Sequence, residues 1–180
     1  MTRLFVAGFD IATSTGCADG FTTSNRPRCW TWSLAAAGKF RPAKLALLRD
    51  YCDRYFAENP VDLFFYEQGL RTAVAAEIGM TEETVALLRG AIGVAEACAA
   101  KARIPHIQAI DVQDARKHLT GQRTFPKGKA KDAVFRWCHT LGWDPKNLDE
   151  SDACAIWSYG CGTANPLGAV GVTPLFAGRM

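Results

Sequence analysis

Long apolar runs are missing from this sequence. Nothing in it approaches the roughly 18 consecutive apolar residues of a membrane span, so no membrane role is expected. The opening run, Leu4–Phe9, is stopped by Asp10 before it reaches the length of a signal-peptide core, and the expected location is cytoplasmic. Cys-x-x-Cys is also missing, and the seven cysteines (17, 29, 52, 98, 138, 154 and 161) are odd in number. That argues against a disulfide framework and against a zinc ribbon; reduced thiols packed as small hydrophobes are expected instead. Histidines number three and form no His–Cys cluster. There is no internal repeat and no low-complexity segment. What remains is an ordinary globular composition of 180 residues, 48% hydrophobic, 22% charged and 11% aromatic. That length suits one domain, which buries about 70% of the surface its unfolded chain exposes.

An excess of either charge is missing overall, with 21 Lys and Arg against 18 Asp and Glu and a net of +3, but the charge is unevenly placed. Residues 101–131 hold eight Lys and Arg against Asp111 and Asp114, a local charge of +6, while the rest of the chain is −3. A concentrated basic segment suits a polyanion partner, although a solvated helix face followed by a loop explains the same charges.

The periodicity predicts strands at Leu4–Asp10, Cys17–Thr23 and Cys29–Leu34, with a polar turn over Ile11–Gly16. Helical spacing follows over residues 41–58 and ends at Asn59-Pro60. Val61–Tyr66 reads as a second buried strand. Thr81 opens a small-residue helix to about Ala102, and Ile104–Ile110 reads as a strand. Asp111 caps a helix to about Leu119. A basic loop over Gly121–Gly128 leads to helices at Lys129–Leu141 and Asp149–Tyr159. Residues 1–160 are read as the domain and 161–180 as a tail. Strands alternating with helices after a meander predict an α/β fold, a mixed sheet with helices on both faces.

Four acids stand where the core begins or ends. Asp10 follows an apolar run, Glu67 follows Val61–Tyr66, and Asp149 and Asp152 lie three apart at a helix start, on one face. An unpaired buried carboxylate is costly, so each needs a partner or a metal. Oxygen donors without His or Cys suit Mg²⁺ or Mn²⁺, and a pair of such ions suits in-line displacement at phosphorus. The plainer readings are an N-cap role for Asp149, a helix-dipole role for Asp152 and a solvated strand end for Glu67.

These residues carry a resemblance. Gly8–Gly16 (GFDIATSTG) is similar to the first-strand motif G-x-D-x-(G/A)-x-x-x-(T/S)-G of RuvC-type Holliday junction resolvases. Val61–Gln68 resembles that family's apolar strand ending in Glu. Leu87–Gly121 resembles its middle stretch, Lys129–Val134 its lysine-bearing helix start, and Asp149–Trp157 its D-x-x-D-A ending. The match runs in order over about residues 4–160. It implies an RNase H-like fold, a five-stranded mixed sheet flanked by helices, and a homodimer acting on four-way DNA junctions. It further implies that Asp10, Glu67, Asp149 and Asp152 hold two Mg²⁺ or Mn²⁺ ions for hydrolysis to 5′-phosphate and 3′-hydroxyl ends. Arg116 or Lys117, and Lys131, match basic positions that contact DNA. Arg123, Lys127 and Lys129 add charge in the loop as candidate backbone contacts, and Phe125 is a candidate for stacking on a base.

The departures are a longer, more basic loop at residues 121–131, the absence of an aromatic just after Glu67, and a tail without a counterpart. They resemble phage- or prophage-type members that accept a wider range of branched DNA. Other readings are a branched-DNA or RNA nuclease of the same fold (YqgF-like), an actin-like or sugar-kinase ATP-binding domain, and a non-catalytic DNA-binding module. The ATP reading is disfavoured because such proteins need two domains and a second phosphate loop, so no nucleotide cofactor is expected.

Overall fold

The computed structural model of the protein describes residues 3–69 and 79–164. Three strands open the chain: β1 (Phe5–Asp10), β2 (Ser14–Phe21) and β3 (Arg28–Ser33). A short 3₁₀ turn, Ala35–Ala37, leads to α1 (Arg41–Glu58). Then follow β4 (Leu63–Glu67), α2 (Glu82–Lys101), β5 (His106–Ile110), α3 (Val112–Thr120), α4 (Ala130–Thr140) and α5 (Leu148–Ala164). The sheet order is β3-β2-β1-β4-β5; the β3–β2 and β2–β1 pairs are antiparallel, and the β1–β4 and β4–β5 pairs are parallel. This is the mixed five-stranded sheet expected above.

Helices cover both faces. α1 and α2 pack on one face, where Phe9, Phe64, Leu48, Phe56 and Ala95 meet. α3, α4 and α5 pack on the other, around Val6, Phe65, Leu119, Val134 and Ile156. The caps expected from the sequence are present: the Thr81 side chain accepts from the Thr84 N–H, and Asp111 from the Gln113 N–H.

Two boundaries differ from the expectation. β2 already begins at Ser14, because Thr15 folds its hydroxyl back onto the Ala12 carbonyl and tightens the turn to three residues. The last helix runs on to Ala164, since Gly160 packs against Phe65. Residues 165–180, most of the expected tail, lie outside the described residues.

α5 is the centre of its layer, with all of residues 150–158 buried or nearly so. Its approach to the sheet depends on two glycines. A Cβ on Gly16 would lie 2.0 Å from the Asp149 carbonyl oxygen, and one on Gly8 would lie 2.5 Å from the Trp157 nitrogen. Helix backbone rests directly on strand backbone there, which only glycine permits.

Candidate active site

Two parallel strands deliver the first pair of acids. β1 and β4 run side by side in register Phe9↔Tyr66, so Asp10 and Glu67 emerge at the same end of adjacent strands, which are about 4.8 Å apart. α5 delivers the second pair. Its first turn is fixed by Asn147, whose side-chain oxygen accepts from the Glu150 N–H. Asn147 is therefore the cap, and the N-cap reading of Asp149 is corrected: the Asp149 carboxylate is turned toward the sheet. The buried Glu150 completes the lock, accepting from the Lys146 N–H at 2.7 Å, the Thr31 hydroxyl at 2.9 Å and the Asn147 amide at 3.1 Å.

The four acids meet around two cations. The Lys131 Nζ, from the first turn of α4, lies 3.3 Å from Asp10, 3.0 Å from Asp149 and 3.3 Å from Asp152. Arg116, from α3, forks onto Asp152, with Nε to Oδ1 at 3.0 Å and Nη2 to Oδ2 at 2.7 Å. Asp152 is wholly buried and Asp10 is 5% exposed. The other Asp149 oxygen accepts from the Ser14 hydroxyl at 2.8 Å. Glu67 and Asp10 hydrogen-bond to each other.

Two carboxylates in that contact share a proton. Burial, then the hydrogen bond to Asp10, then the charges of Asp10 and Asp152 push Glu67 up to about 9. Asp10 is raised as well, chiefly by burial, with Glu67 and Lys131 opposing. Both shifts belong to the pair, which holds a shared proton above the ordinary carboxylate range. Burial acts against the Lys131 charge, but Asp10, Asp152 and Asp149 outweigh it and raise its pKa. The same balance, set by Asp152, raises Arg116.

The donor set fits a hard divalent cation. It consists of carboxylate oxygens alone, it carries more negative charge than Lys131 and Arg116 neutralise, and its centre already accepts an ammonium group. In this arrangement no three acidic, His or Cys side chains among the described residues form a ready metal cage; Lys131 fills the gap between three of the carboxylates.

The remaining basic candidates lie outside this centre. Lys117 is exposed on α3. Arg123 pairs with Asp114 and with Asp111. Lys127 and Lys129 are exposed in the loop before α4, and Phe125 is half-buried there. Lys129 is two residues from Lys131, hence within about 8 Å along the chain, so the basic loop ends beside the lysine that three of the acids share. His118 turns away from them, its ring against Tyr159 at 5.8 Å, and burial lowers its pKa.

Three contributors were not anticipated from the sequence. Ser14 lies inside the expected polar turn, Asn147 precedes the Asp149–Trp157 motif, and Glu150 is inside it. A further buried acid, Asp19, faces the other side of the sheet. It accepts from the Arg28 Nε at 3.0 Å and from the Tyr55 hydroxyl at 2.8 Å.

No protein-family model and no curated protein matches the chain. Solved structures do. One is Thermus thermophilus RuvC in complex with a Holliday junction substrate, 16% identical, with a TM-score of 0.65 over 86% of this chain and 90% of that one. A second T. thermophilus RuvC structure is 15% identical, with a TM-score of 0.59 over 86% and 91%. The yeast mitochondrial Holliday junction resolvase Ydc2 is 9% identical, with a TM-score of 0.56 over 91% and 82%. The chain shares the RNase H-like fold of these proteins.

Proposed function

We propose that the protein is a divalent-metal-dependent, structure-selective DNA endonuclease that resolves four-way junctions by paired nicks. One observation carries the reading: four carboxylates converge at the end of the sheet in excess over their two cations, beside a basic loop. Among the solved structures of the same fold, one is a Holliday junction resolvase and another is RuvC bound to a Holliday junction substrate.

Asp10, Glu67, Asp149 and Asp152 would hold the metal. When bound, Mg²⁺ or Mn²⁺ supplies charge against the scissile phosphate and lowers the pKa of a water, leaving 5′-phosphate and 3′-hydroxyl ends. The chain's own residues do the rest. Ser14 holds the Asp149 carboxylate in place, and Glu150 with Asn147 fixes the helix turn that carries it. Glu67 and Asp10 would ligate the metal as carboxylates, so the proton that they share would pass to solvent. Lys127 and Lys129 hold DNA phosphates against a site that would otherwise repel them, a salt-dependent contact without sequence information.

A symmetric pair of nicks needs two sites, hence a homodimer. The small-residue helix α2 is the element we assign to that contact.

The test is cleavage in Mg²⁺ of a synthetic four-way junction beside linear duplex of the same sequence. Paired nicks near the branch are expected. Equal cutting of flaps, forks and junctions would make the protein a general branched-DNA nuclease. Absence of any cutting would refute the enzyme reading.

A further inference from the structure

The two cations of the acid cluster hold their carboxylates in different ways. Lys131 is a point charge on a flexible stem, 40% exposed, shared among three acids. It can swing into solvent and leave Asp10 and Asp149 without a cation, while Asp152 keeps Arg116. Arg116 is 13% exposed and takes both oxygens of a single, wholly buried acid. A guanidinium fork is rigid and does not lose its proton, so it cannot yield by neutralising. A metal ion that ligates Asp152 must either displace this fork or approach a fixed positive charge.

We infer that Arg116 is an internal counter-ion that competes with the divalent cation for Asp152, so that the free protein holds its metal weakly. This rests on the metal site proposed above. The planar fork that matches a carboxylate also matches a phosphate. A DNA phosphate beside α3 is therefore the ligand chemistry that draws Arg116 off Asp152. Metal binding and DNA binding then help each other, by the same factor in both directions.

Arg116 is a positioning residue in this account, and removing it affects two affinities in opposite directions. The experiment is calorimetric titration of Mn²⁺ into the full chain without DNA, for wild type, Arg116→Met, Arg116→Lys and Lys117→Met. Metal-free binding of a four-way junction is measured alongside. Arg116→Met is expected to bind Mn²⁺ about tenfold tighter than wild type, within the range of ordinary coupling between sites, and to bind the junction more weakly. Lys117→Met removes the same charge from the neighbouring exposed position and is expected to change Mn²⁺ affinity less than about threefold, because charges in water are well screened.

An unchanged or weaker Mn²⁺ affinity in Arg116→Met overturns the inference, and a fall in both affinities marks a merely structural residue. Where a thermal melt shows Arg116→Met unfolded, Arg116→Lys decides: it keeps the charge and loses the fork, and Mn²⁺ binding no tighter than wild type refutes competition. Tighter Mn²⁺ binding in a protein that binds no junction supports the competition and removes the nuclease reading. Absence of Mn²⁺ binding in every variant removes both.

Discussion

The sheet buries acid on both of its faces, and the two faces handle it differently. Toward α1, Asp19 meets Arg28 and the Tyr55 hydroxyl: one carboxylate, one cation and one neutral donor. Toward α5, Asp10, Glu67, Asp149 and Asp152 share Lys131 and Arg116. The first group is balanced and complete. The second carries excess negative charge, and that excess together with burial raises the pKa of the Glu67–Asp10 pair. Burial of a charge therefore does not mark the site, since Asp19 is as buried as Asp10. The mark is the imbalance between acids and their partners, which leaves room for a cation from outside.

The sharpest way to break this comparison is to remove one acid of the unbalanced group. Asp10→Asn is expected to lower junction cleavage by about 10³-fold or more, the scale on which losing transition-state charge stabilisation is felt, with junction binding retained. Cleavage near the wild-type rate would remove Asp10 from the mechanism. The balanced group should respond in stability instead. Arg28→Met leaves Asp19 buried without its cation and should cost about 2 kcal/mol of unfolding free energy, read by urea denaturation, with cleavage per folded molecule unchanged. A rate loss there would mean that the two faces are coupled.

The proton on Glu67 gives a third test. Its folded pKa of about 9 stands above the ordinary 4.5, so between those values the folded chain holds a proton that the unfolded chain has lost. That contribution to stability is complete below about pH 4.5 and disappears as pH rises toward 9. Melting temperatures in chelator should therefore fall more steeply over this range in wild type than in Glu67→Gln; identical slopes would show that the shared proton is absent. The smallest effect is expected at the loop. Neutralising Lys127 and Lys129 should reduce the salt slope of junction binding by roughly two, at about 0.9 per phosphate contact, and an unchanged slope would remove that loop from the interface.

Much of this architecture is legible in the chain. Apolar runs closed by Asp10 and by Glu67 already place two acids at strand ends, and Thr81 and Asp111 announce their helices. The fold class follows from the order of the periods. What is not legible is direction. Arg116 and Lys131 sit in a basic segment that reads as facing DNA, yet both turn inward onto carboxylates, because four converging acids attract the nearest cations more strongly than water does. The depth of α5 is also hidden, since it depends on glycines in β1 and β2 that are far away in sequence. Asp19 is not legible either, because its partner is set by the hairpin register, Asp19↔Arg28, and not by any local motif.

The most direct test of the central claim is a titration of Mn²⁺ into the metal-free protein at neutral pH, with Asp10→Asn and Asp19→Asn beside wild type. Binding lost in Asp10→Asn and kept in Asp19→Asn is the predicted result. Equal loss in both variants, or binding unaffected by Asp10→Asn, would contradict the claim that charge imbalance, and not burial, defines the site.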